Sequence, residues 1–117
     1  MRILFIGDIF AKVGRDLVKR GVPALVRARD IDVVIANGEN SAGGFGITRE
    51  ISKELFDAGI AVLTSGNHVW DKREILAFID DEPRLLRPFN YPAGTPGRGS
   101  TVVTTPAGLR VGVLNLM

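Results

Sequence analysis

Ile60-Ala61-Val62-Leu63-Thr64-Ser65-Gly66-Asn67-His68-Val69-Trp70-Asp71 is an apolar run that breaks at Gly66 onto the only histidine and the only tryptophan of the chain. Four apolar residues bounded by turn formers suit a short strand covered on both faces, as in a parallel sheet. A strand of that kind ends by presenting its next few residues at one edge of the sheet. The reading of the rest of the chain turns on whether other strands deliver compatible groups to the same edge.

Two other runs do. Residues 2–6 form a first apolar run, ending at Gly7-Asp8, and Asp32-Val33-Val34-Ile35-Ala36 forms a second, ending at Asn37-Gly38-Glu39-Asn40. Between them, residues 14–29 place Val18, Val22, Leu25 and Val26 at helical spacing, and Pro23 predicts a kink or a division into two short helices. Thr48 is placed to cap a helix over 49–58, with Glu50 in its first turn and Gly59 at its end. Strands alternating with helices predict βαβ crossovers and a parallel α/β sheet. Asp71 and Glu74 have the spacing of a capping box, and Trp70 and Ile75 that of a hydrophobic staple, so a helix is expected over 72–79. The Pro- and Gly-rich stretch 80–100 reads as a long functional or mobile loop, in which Arg84, Arg87 and Arg98 either meet phosphate or face solvent. Residues 101–105 and 110–117, joined by Pro106-Ala107-Gly108, read as a C-terminal hairpin.

Composition narrows the class. With 117 residues, 45% of them hydrophobic and 24% charged, the chain is a single globular domain at most. A net charge of +2 with scattered basic residues gives no indication of nucleic-acid binding. The absence of cysteine excludes disulfides and thiolate metal sites and fits a cytoplasmic location. The first apolar run is cut at Asp8, too early for a signal peptide or a membrane span.

Asp8, Glu39 and Asn67 thus stand at three strand ends, the edge at which open α/β sheets bind ligands. Carboxylates gathered there repel one another unless protonated or bridged by cations, and an oxygen and nitrogen donor set without sulfur suits manganese, iron, magnesium or zinc. In a two-metal centre Glu39 is the natural bridge, with Asp8 and Asn67 as terminal ligands, and His68 is placed to protonate a departing alkoxide. The loop Ser41-Ala42-Gly43-Gly44-Phe45-Gly46 has neither dinucleotide nor P-loop spacing; it either contacts substrate or lets backbone pass close to a neighbour. A Rossmann oxidoreductase is disfavoured, because the first βα turn lacks the glycine pattern and carries Asp8 where pyrophosphate would sit.

Gly7-Asp8, Asn37-Gly38-Glu39-Asn40 and Gly66-Asn67-His68 with Asp71, in that order, resemble the first half of a calcineurin-like metallophosphoesterase, and more closely its YmdB-like branch. The resemblance runs over essentially the whole chain and implies half of a four-layer α/β/β/α fold. It implies phosphodiesterase activity, including toward 2′,3′-cyclic nucleotides, and two divalent ions, manganese or iron ahead of zinc or magnesium. It matches Asp8, Glu39 and Asn67 to metal ligands, Asn40 to a further metal-site residue and His68 to the proton donor. Phe10 stands where the wider superfamily has a histidine, as in the YmdB-like branch. The family draws further ligand histidines from a C-terminal half, and none follows His68, so the domain 1–117 is expected to be incomplete at its C-terminus. The expected partners are a phosphodiester or cyclic-nucleotide substrate and further copies of the chain in a homo-oligomer, without a membrane. The alternative is a non-catalytic nucleotide-binding or assembly module lacking a complete metal site.

Overall fold

The structure, a computed structural model, describes all residues from Met1 to Met117. Its centre is strand β2, Val33–Asn37, flanked in parallel by β1, Ile3–Asp8, and β3, Val62–Thr64. The run Val33-Val34-Ile35-Ala36 is apolar throughout because both faces of this strand are covered. Val34 and Ala36 pack with Val18 and Val22 of helix α1, Ala11–Arg29, and with Leu55 of helix α2, Arg49–Asp57. Val33 and Ile35 pack with Val62, Leu86 and Val111 on the opposite face. Val111 belongs to an antiparallel hairpin of β4, Ser100–Thr104, and β5, Arg110–Leu114, as expected from the two runs about Pro106-Ala107-Gly108.

β1 departs from the expectation of cover on both faces. Leu4 and Ile6 join the core beside the helices, whereas Ile3 and Phe5 on the other face remain exposed because the hairpin lies over β2 and β3 only. Val102, Leu114, Leu116 and Met117 are likewise exposed. Of the two readings of Pro23, the division into two short helices does not occur: α1 runs as one helix through Pro23, which contributes no N–H to the carbonyl of Lys19. α2 starts where Thr48 predicts: its hydroxyl accepts the Ile51 N–H at 3.1 Å, and Gly59, at φ +104°, turns the chain out of the helix.

The Pro- and Gly-rich stretch is ordered by pairing, and its expected looseness is a misreading. Leu63 N–H donates to the Arg84 carbonyl and Leu86 N–H to the Leu63 carbonyl, both at 2.8 Å, so Leu85 and Leu86 extend the sheet beyond β3 and are fully buried. The three arginines make contacts within the chain: Arg84 to Glu82 and the Phe56 ring, Arg87 to carbonyls of Pro88, Phe89 and Thr95, Arg98 to the Asp80 carbonyl. The buried Asn115 joins this segment to the sheet, its amide donating to the Ser65 carbonyl at 2.7 Å and the Leu86 carbonyl at 3.3 Å. No helix is long and apolar enough to cross a membrane.

Asn115→Ala strands the Ser65 carbonyl in the interior, while the Leu86 carbonyl keeps the Ser65 hydroxyl, and urea titration should show a loss of roughly 1–3 kcal/mol, the cost of leaving such a group unpaired. A variant as stable as the parent would remove this residue from the framework of the fold.

Candidate metal centre

The three strand ends meet. β1 ends at Asp8, beyond a register shift between Ile6 and Asp8 that pairs Asp8 with Asn37, the last residue of β2. Both Asp8 carboxylate oxygens accept from the Asn40 amide, each at 3.1 Å. Asn37 holds Glu39 through a reciprocal pair: its amide donates to Glu39 Oε1 at 3.1 Å, and its own oxygen accepts the Glu39 N–H at 3.0 Å. Asn37 received no role from sequence, although its place two residues before a carboxylate is the spacing of a side chain that bonds its own backbone turn.

β3 reaches the same edge through Ser65-Gly66. Gly66 has a negative φ of −131°, and its importance lies in what passes over it: a Cβ there would stand 2.7 and 2.8 Å from the Glu39 carboxylate oxygens. Beyond it the chain enters a 3-10 turn, Asn67–Trp70, whose His68 N–H donates to Glu39 Oε2 at 3.1 Å. Glu39 is therefore fixed from both sides, by β2's own end and by β3's. Asn67 is exposed at the edge.

Asp71 does not start a helix. No capping box forms, the expected helix 72–79 is a 3-10 segment, Arg73–Ala77, without a side-chain cap, and Glu74 instead accepts the Arg49 N–H at the start of α2. The Asp71 carboxylate meets His68 Nδ1 at 2.6 Å. This pair was legible only as a three-residue spacing that two local geometries share. The bond from Asp71 is the main cause holding the imidazole above its ordinary value of 6.5, with smaller contributions from the charges of Asp71, Glu39 and Asp8. Trp70 packs as expected, stacked on Tyr91 with ring centroids 6.4 Å apart.

The donor set is one of hard oxygens. Two carboxylates, Asp8 and Glu39, stand with the amides of Asn40 and Asn67 at one sheet edge, and Asn40 Oδ1 is buried without a hydrogen-bond partner. An orphaned amide oxygen beside a carboxylate is what an oxygen-coordinated cation satisfies. No three histidine, aspartate or glutamate side chains are grouped closely enough to hold an ion by themselves. His68 turns its Nδ1 to Asp71. The carboxylates and amides present therefore fit part of an oxygen shell for a cation.

The family model described as YmdB-like protein matches residues 4–117. A 2′,3′-cyclic-nucleotide 2′-phosphodiesterase of Bacillus subtilis (strain 168) is 50% identical over 116 residues, covering 99% of this chain and 44% of that protein. The crystal structure of a hypothetical protein from Thermus thermophilus matches with a TM-score of 0.91 at 39% identity, over 100% of this chain and 45% of the other. That of a novel phosphatase from Mycoplasma pneumoniae matches with a TM-score of 0.86 at 30% identity, over 97% of this chain and 42% of the other. The chain spans less than half the length of these relatives.

Because protonation of His68 is favoured in the folded chain, its contribution to stability is complete below the unfolded imidazole's value near 6.5 and is lost as pH rises through the higher folded value. NMR titration of the metal-free chain should find His68 titrating above the ordinary value and Asp71→Asn lowering it. An imidazole indifferent to that substitution would deny the pairing.

Proposed function

This chain belongs to the YmdB-like family, and on that premise we propose that it carries metal-binding and proton-donating groups of a metal-dependent phosphodiesterase. The observation behind the proposal is the strand-end cluster itself: Asp8 held by Asn40, and Glu39 held jointly by Asn37 and the His68 N–H. Asp8, Glu39, Asn40 and Asn67 would hold the metal. Divalent ions there supply charge for the phosphate oxygens and a water acidified toward neutrality.

The remaining chemistry falls to this chain's own side chains. Asp8 and Glu39 bring negative charge that a cation offsets, and the neutral amides of Asn40 and Asn67 add oxygens without adding repulsion. With Nδ1 engaged by Asp71, His68 keeps Nε2 as the nitrogen from which a proton can leave. As water adds to phosphorus and the ester P–O bond breaks, that proton goes to the departing oxygen. Manganese and iron are the preferred ions, with zinc and magnesium compatible with the same donors. A 2′,3′-cyclic nucleotide, the substrate in the name of the Bacillus subtilis relative, is the favoured phosphodiester.

A second reading, a nucleotide-binding or assembly module without catalysis, draws support from the absence of a group of three ionisable ligands. Metal analysis separates the two. Two transition ions per chain with hydrolysis favour the enzyme; no metal with retained nucleotide binding favours the module.

Hydrolysis of a 2′,3′-cyclic nucleotide should require added manganese, and His68→Ala should lower the rate by about 10²- to 10⁴-fold, the usual worth of a positioned proton donor. Asn67→Ala should weaken manganese binding and activity together; undiminished activity in both variants would remove the assigned roles. Gly66→Ala should displace the Glu39 carboxylate and weaken manganese binding measured by calorimetry. Unchanged affinity would show that Glu39 is not a ligand.

A further inference from the structure

We propose that Phe45 is a stacking platform for the base of a nucleotide ligand, set beside the phosphate-handling groups by a turn built from glycine. The inference rests on the phosphodiesterase reading and adds to it a contact for the part of the ligand that is not phosphate.

Phe45 is 59% exposed, an apolar ring in water at the rim of a polar, carboxylate-bearing edge. Its centroid lies 6.2 Å from that of the His68 ring, with the planes tilted by 59°. Backbone geometry puts it there. Gly43, Gly44 and Gly46 take φ values of +69°, +98° and +72°, conformations that side chains oppose. The turn is closed by Ala42 N–H to the Gly46 carbonyl at 2.9 Å and tied to the site by Gly44 N–H to the Asn40 carbonyl at 3.1 Å.

Both flanks of the turn are in contact. A Cβ on Gly44 would stand 2.9 Å from Phe10 Cζ, and one on Gly46 would stand 2.9 Å from the Lys72 backbone nitrogen. The turn is thus wedged between the segment that follows Asp8 and the segment that follows His68. Arg15 donates from below to the Ser41 carbonyl at 2.6 Å. A side chain carried on such a turn is held in place without being buried, and none of the core requires it.

The chemistry of the neighbours says what it meets. A nucleotide places one sugar between its phosphate and its base, so a phosphate handled by His68 and the carboxylates brings a flat ring system to the Phe45 side. Every nucleobase has a π-face, and stacking on an aromatic side chain tolerates all of them. The platform therefore selects base-bearing ligands over base-free ones while discriminating little among bases.

Calorimetry in the presence of manganese should compare adenosine monophosphate with ribose 5-phosphate, for the parent chain, Phe45→Ala and Phe45→Trp. The parent should favour the base-bearing ligand by about tenfold, in the range of measured stacking contributions. Phe45→Ala should bring the ratio of the two affinities near one, and Phe45→Trp should keep or raise it. Upfield movement of the Phe45 ring protons on adding adenosine monophosphate, and not ribose 5-phosphate, should accompany the preference. Equal binding of both ligands by the parent, binding of neither, or a ratio unchanged in Phe45→Ala would overturn the platform. Base preference without any phosphodiester hydrolysis would sink the enzymatic reading and leave the platform standing, whereas hydrolysis without base preference would do the reverse.

Discussion

The carboxylate of Glu39 is the point at which the strand ends become one site. It accepts the backbone N–H of His68, 29 residues away, and the Asn37 amide, and it lies against Gly66, which has no side chain to push it off. A carboxylate so engaged is held by hydrogen bonds to its charged form, stronger than neutral ones of the same length. It also sets the direction of the 3-10 turn that follows β3. Exposure of Asn67 and the turning of His68 toward Asp71 are consequences of that turn.

The fold supplies the rigidity that such an arrangement needs. β2 is sandwiched between two helices and a hairpin, and its residues Val33 to Ala36 are almost wholly removed from water. β3 is short, three residues, and is steadied on its far side by Leu85 and Leu86. Asn115 extends the same support to Ser65, immediately before the site. Residues far apart in sequence thus fix the backbone from which the site's side chains project, a condition under which small displacements matter to chemistry.

His68 and Asp71 illustrate how one spacing admits two structures. A carboxylate three residues before Glu74 fits a helix cap, and a carboxylate three residues after a histidine fits an ion pair. In a 3-10 turn residues i and i+3 lie on the same side, which brings His68 and Asp71 together. Once Asp71 closes that turn its carboxylate is committed to the imidazole, and the next segment begins without a cap. Arg84, Arg87 and Arg98 show the complementary case, basic residues whose partners are carbonyls, a carboxylate and an aromatic ring supplied by the chain itself.

Features that depend on local period and composition are legible in the residues alone. Continuous apolar runs predicted the parallel strands, Thr48 and Gly59 bounded α2, two runs about Pro106-Ala107-Gly108 predicted the hairpin, and Asp8, Glu39 and Asn67-His68 were placed at the ends of three strands. Such features follow from steric and solvation preferences acting over a few residues. The cover of β1 on one face, the continuation of the sheet by Leu85-Leu86, the setting of Glu39 by Asn37 and Gly66, and the pairing of Asp71 with His68 emerge from the assembled fold. Each of these depends on which segments meet across the fold, and on which of several available partners a polar group finds when it leaves water. Local pattern carries no record of that choice.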